Sequence, residues 1–288
     1  MFRGSMVAMV TPFSEGEVDY ETLGQLIDFQ IENGTDAIVP CGTTGESPTL
    51  SHEEHDRVVE FTVEKVDKRV KVIAGAGSNC TREALRLTRH AQDVGADGAL
   101  VITPYYNKPT QSGLIEHFRK LADETDIPLV LYNVPGRTGV KLEPDTIAEL
   151  APLDNIVAVK EACGSVDQVN RILNLCDITV ISGDDALTLP MIAVGGEGVI
   201  SVAANIVPDA VSQMVHNALD GKWNTARQEH YYLYSLFQMM FIETNPIPVK
   251  TALAMMGKLR EEFRLPLCGL SSVHRAELEE LLGRYELL

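Results

Sequence analysis

The sequence is short of cations. It carries 24 Lys and Arg against 41 Asp and Glu in 288 residues, a formal net charge of −17. Nucleic-acid binding needs a basic face, so that class is not expected. Cysteine is sparse as well: five residues, at 41, 80, 163, 176 and 268, with no CxxC pair. An odd, scattered set argues against a disulfide framework or a zinc site and for reduced thiols in the cytoplasm. No apolar run reaches the ~18 residues that cross a membrane. The N-terminal stretch MFRGSMVAMVTPF is broken by Gly4 and Pro12 and lacks a basic segment with a cleavage site, so no signal peptide is expected. Low-complexity segments and Pro/Gly/Ser linkers are missing too.

What is present is a rhythm. Eight runs rich in Val, Ile and Ala recur, at Gly4–Phe13, Asp36–Thr43, Lys71–Gly77, Gly98–Tyr105, Pro128–Val134, Ile156–Cys163, Ile178–Gly183 and Gly198–Ala204. Most are almost continuously apolar, as parallel strands covered on both faces are. Helical spacing lies between them, as in Tyr20–Asn33 and Thr81–Val94, with Asn33-Gly34 and Gly95 marking helix ends. Eight strands alternating with helices predict a (β/α)₈ TIM barrel of the α/β class over residues 1–224. A doubly wound sheet would call for a glycine-rich first turn, where this chain has Thr11-Pro12-Phe13. Helical patterns continue through 225–288, for instance at Ala226–Met240 and Val273–Leu287, and predict an all-helical extension packed on the barrel.

Barrels of this kind place their chemistry at the C-terminal ends of strands. The sixth run ends in Lys160 (Ile156-Val157-Ala158-Val159-Lys160-Glu161). An ammonium there is costly unless it is paired or sheds its proton. The plain reading is a lysine that reaches solvent or pairs with a carboxylate such as Glu161. The other is a nucleophile that forms a Schiff base with a carbonyl substrate. The remaining strand ends favour the second, because they offer Thr43 and Thr44, Tyr105 and Tyr106, Tyr132, Arg137 and Gly183. Imine chemistry needs an attacking amine, hydroxyls that shuttle protons, and a guanidinium to clamp a carboxylate.

The motifs Gly42-Thr43-Thr44-Gly45-Glu46 and Tyr132-Asn133-Val134-Pro135-Gly136-Arg137-Thr138, followed by Lys160, resemble the dihydrodipicolinate synthase/N-acetylneuraminate lyase family of class I aldolases. The resemblance spans essentially the whole chain, with no departure at a catalytic position. It implies that Lys160 forms an imine with pyruvate and that Tyr132 moves protons above it. Thr43 and Tyr106 would complete a relay, with Tyr106 reaching into a neighbouring subunit. Thr44 and the backbone at Ile200 would hold pyruvate, Gly183 would leave the imine room, and Arg137 would bind the carboxylate of L-aspartate-4-semialdehyde. No cofactor or metal is implied; a homotetramer built as a dimer of dimers is. The neuraminate lyases lack an arginine in the 137 turn, so a sugar-acid or oxo-acid lyase is the lesser alternative. A non-catalytic sensor barrel would have no use for the relay.

Ser51-His52-Glu53-Glu54-His55 lacks the His-Glu-x-x-His zinc spacing and reads structurally as a helix start capped by Ser51. The resemblance adds a third reading. Ser47, His52, His55, Asn79, Glu83 and Tyr105 stand where lysine-inhibited members bind L-lysine between subunits. Pro48 departs from the usual alanine there.

Overall fold

Why the apolar runs become strands is visible in their burial. In the computed structural model, which describes residues 2–288, Met6, Val7, Ile73, Ala99, Val101, Leu131, Val159 and Val199 are all fully enclosed. A strand covered on both faces has no polar side to mark, and such strands pair in parallel. Eight of them close a barrel: β1 (Gly4–Ala8), β2 (Ala37–Val39), β3 (Lys71–Gly75), β4 (Gly98–Ile102), β5 (Leu129–Asn133), β6 (Ile156–Glu161), β7 (Thr179–Ser182) and β8 (Gly198–Ser201). Each pairs with its sequence neighbour, and β8 returns to β1 in the register Met6↔Ile200. Every barrel strand falls inside one of the eight runs read from the sequence, while a short antiparallel ribbon, Phe13–Ser14 with Glu17–Val18, begins at the end of the first of them.

The connecting helices supply their own punctuation. Helix α1 (Tyr20–Glu32) is capped by Asp19, whose carboxylate accepts the Thr22 N–H. In α2 (His52–Val66), Ser51 and Glu54 form a reciprocal capping box. This is the structural reading of that motif. Gly34 and Gly95, expected to end helices, lie at φ +81° and +84°, a region that suits glycine.

Two apolar layers result. Inside the barrel, Met6, Ala8, Val39, Leu100, Val130, Ala158, Ile181 and Ile200 pack together, with Phe2 among them. Outside it, the second face of the strands packs against the helices.

The tail contributes to that outer core through Leu233, Leu236 and Phe237 of the helix Trp223–Met239. The helix Ile247–Met255 and the last helix, Ser272–Arg284, follow. Contrary to the expectation from sequence, the extension is not all-helical: residues 257–271 contain no helix or strand. That stretch holds Pro266 and is anchored by ion pairs instead, among them Arg264 to Glu54 at 2.5 Å.

Candidate active site

Tyr132 and Lys160 are register partners on β5 and β6, so their side chains leave the sheet on the same side. Lys160 Nζ lies 4.3 Å from the centre of the Tyr132 ring. The lysine is only 5% exposed, which disposes of the solvent-reaching reading. Its supposed partner Glu161 faces away from it, bound to Asn133 at 3.0 Å. At Gly183, a methyl group would stand 2.7 Å from Ala162 Cβ and 2.9 Å from Lys160 Cε. Only glycine leaves the lysine stem its course.

A cavity of about 240 Å³ opens over Lys160, lined by Thr43, Thr44, Tyr132, Arg137, Gly183 and Asn245 among others. Arg137 sits on a single helical turn, Pro135–Thr138, started by a proline directly after β5. Its Nη2 donates to the Asn245 carbonyl at 3.2 Å, while Asn245 Nδ2 donates to the Thr44 hydroxyl at 3.0 Å. The tail residue therefore ties together the two loops that offer a hydroxyl and a guanidinium. Lys160 and Arg137 face one acid in the lining, Asp184, whose carboxyl is pushed up by burial. This locally cationic pocket in an acidic chain suits small anionic substrates.

Glu46, the last residue of the Thr43-Thr44 turn motif, is held from beneath. Its Oε1 is 2.5 Å from Lys250 Nζ, with both side chains completely buried. Glu46 takes φ +52° to reach this position.

A larger cavity of about 430 Å³ shares the Thr43, Tyr132 and Arg137 wall and extends to Ser47, Pro48, His52, His55, Glu83 and Tyr105. His52 Nε2 lies 3.2 Å from Glu83 Oε1, and the Ser78 hydroxyl donates to the other Glu83 oxygen. Burial pushes His55 down to about 4, so it presents a neutral ring near pH 7.

Comparison with known proteins decides the family. The chain matches the dihydrodipicolinate synthetase family model over residues 1–284. It is 56% identical to the 4-hydroxy-tetrahydrodipicolinate synthase of Aquifex aeolicus, over 100% of this chain and 99% of the relative. The chain belongs to the dihydrodipicolinate synthetase family. The crystal structure of the Aquifex aeolicus dihydrodipicolinate synthase superposes with a TM-score of 0.98, at 55% identity and 99% coverage of both chains. The enzyme from Acinetobacter baumannii complexed with pyruvate gives 0.98 at 43% identity, covering 100% of both chains. The one from Cyanidioschyzon merolae with lysine bound gives 0.97 at 40% identity, covering 100% of this chain and 99% of that one.

Within this family member three anticipated residues stand apart from the cavities. Tyr106 is 89% exposed, at φ +73°, and lines neither. Ile200 belongs to the apolar layer inside the barrel and lines neither cavity. Asn79, whose carbonyl accepts Asn107 Nδ2 at 2.9 Å, does not line the larger cavity. Sequence reasoning missed Asn245, Phe237, Gln238 and Phe241, all of them in the wall over Lys160. The only available signal was Asn245-Pro246-Ile247-Pro248, an interruption between two helical stretches.

Proposed function

We infer that the chain condenses pyruvate with L-aspartate-4-semialdehyde through a Schiff base on Lys160, giving 4-hydroxy-tetrahydrodipicolinate on the diaminopimelate route to lysine. Full-length identity of 56% to a named synthase carries the reaction. The buried, register-paired Lys160 and Tyr132 support the assignment of roles.

In this mechanism Lys160, as the free amine, adds to the pyruvate carbonyl. Loss of water gives a protonated imine, an electron sink. The methyl group then loses a proton and becomes an enamine. Its carbon adds to the aldehyde of the second substrate, forming the carbon–carbon bond as the oxygen takes a proton. The amine of the semialdehyde adds to the imine carbon and expels Lys160, closing the ring; one water is released overall. Tyr132 and Thr43 carry the protons. Thr44 holds the pyruvate carboxylate with backbone support near Ile200, and Arg137 clamps the carboxylate of the semialdehyde. A sugar-acid substrate is disfavoured, since a polyol gains little from Arg137.

Tyr106 completes the relay only if a second subunit delivers it, so the active form is at least a dimer and is proposed as a homotetramer in the cytoplasm. No helix among the described residues is long and apolar enough to cross a membrane. L-lysine is proposed as a feedback inhibitor in the larger cavity, where Ser47, His52, His55, Glu83 and Tyr105 converge. The lysine-bound Cyanidioschyzon merolae structure supports this reading. Calorimetric titration with millimolar lysine tests it: no heat and an unchanged rate would refute inhibition. Steady-state turnover of the two substrates tests the reaction itself, and a fully folded protein inactive on that pair would overturn it.

A further inference from the structure

The two strands that carry the chemistry hold a second register pair, one residue past the first. Asn133 faces Glu161 across β5 and β6, as Tyr132 faces Lys160. Strand alternation sends this second pair to the opposite side of the sheet from the first. Both side chains are fully buried, and neither lines either of the two cavities described above. Asn133 Nδ2 donates to both carboxylate oxygens of Glu161, at 3.0 and 3.0 Å. Its Oδ1 accepts the Leu142 N–H at 2.9 Å, and Glu161 Oε1 accepts the Cys163 N–H at 2.9 Å. One amide–carboxylate contact thus joins the two strands and grips the chain beyond each of them.

A carboxyl group enclosed in this way is costly. Burial raises its pKa against the hydrogen bonds that favour the anion, so those contacts offset the cost of enclosing it only in part. The contact's place, directly behind Tyr132 and Lys160, accounts for it better.

We propose that Asn133 and Glu161 are positioning residues whose contact fixes the separation and rotation of Tyr132 relative to Lys160. They touch no substrate and act through the pair in front of them. The proposal rests on the imine reading above.

Swapped hydrogen-bonding groups test it. Glu161→Gln turns an NH₂ toward either the Asn133 amide or the Cys163 N–H, and Asn133→Asp opposes two carboxyl groups. The double variant Asn133→Asp/Glu161→Gln restores complementarity between the two side chains, giving up the 3.4 Å contact from Asn133 Nδ2 to the Leu142 carbonyl. The carboxylate introduced on β5 accepts from the Leu142 N–H and from the amide introduced on β6, whose own carbonyl accepts from the Cys163 N–H. Each single variant is expected to lower kcat and the rate of borohydride-trapped pyruvate adduct by about 10- to 100-fold, as misplaced reacting groups do. The semialdehyde KM should move far less, and the double variant should recover most of the loss. Circular dichroism identifies folded protein, and Asn133→Ala, which removes the contact without opposing two carboxyl groups, is read if Asn133→Asp does not fold. Folded variants with unchanged kcat and adduct rate would overturn the proposal. So would a folded double variant as slow as the singles. No adduct in the unaltered protein would overturn the imine reading first; adduct there with indifferent variants would overturn this proposal alone.

Discussion

Removing the buried cation under the Thr43-Thr44 turn is the sharpest structural perturbation available. Lys250→Met keeps most of the stem volume beside Phe13 and Phe263, whose ring centres lie 4.3 and 5.1 Å from the nitrogen. It leaves the Glu46 carboxylate enclosed, with only the Arg264 N–H at 3.5 Å from its other oxygen. Stripping one partner from a buried pair costs about 3–5 kcal/mol. The pair itself is not a strong net stabiliser. Burial holds Lys250 below its usual range even with Glu46 beside it, so the lost hydration outweighs the attraction. Glu46→Met/Lys250→Met should therefore lie within about 1 kcal/mol of the unaltered protein. Both variants should raise the pyruvate KM, because the turn bearing Thr43 and Thr44 loses its anchor. Urea unfolding at fixed protein concentration, followed by circular dichroism, reads the stabilities. Fluorescence is a poorer probe, since the single tryptophan, Trp223, is exposed. A loss for Lys250→Met below about 1 kcal/mol, well under the buried-pair cost, or an equal loss for the double variant, would refute the reasoning.

Three further outcomes follow from the geometry. Arg137→Ala removes a charge-assisted contact worth about 1.5–3 kcal/mol. It should raise the semialdehyde KM about 10- to 100-fold with much less effect on pyruvate; equal losses would count against the assigned role. Gly183→Ala places a methyl 2.9 Å from Lys160 Cε; stopped-time trapping should show adduct formation slowed by at least about tenfold in protein that melts normally. Burial pushes both His55 and His117 down to about 4, so the unfolded chain binds more protons than the folded one between pH ~6.5 and ~4. Stability should be full above that window and fall as pH drops through it, by about 2 kcal/mol per histidine at pH ~5. Urea midpoints that do not move between pH ~7 and pH ~5 would contradict this.

The barrel was legible because its strands are covered on both faces and read as apolar runs with no polar side. The candidate site was legible because parallel strands deliver the residues at their ends to one rim, as Tyr132 and Lys160 show. Asn245 and Lys250 were not. They lie 201 and 204 positions from Thr44 and Glu46, their partners, and a polar residue in a helical tail carries no mark of the loop it will meet. The backbone role given to Ile200 could not be read from an apolar side chain that packs inside the barrel. Tyr106 shows a different limit: the role proposed for this exposed ring depends on a second subunit, and composition does not encode assembly.

The most direct measurement is mass spectrometry of the protein reduced with borohydride in the presence of pyruvate, followed by peptide mapping. A single reduced pyruvate adduct on Lys160, absent when pyruvate or borohydride is omitted, is the expected result. Folded protein without an adduct, or an adduct on another lysine, would contradict the Schiff-base mechanism at this residue.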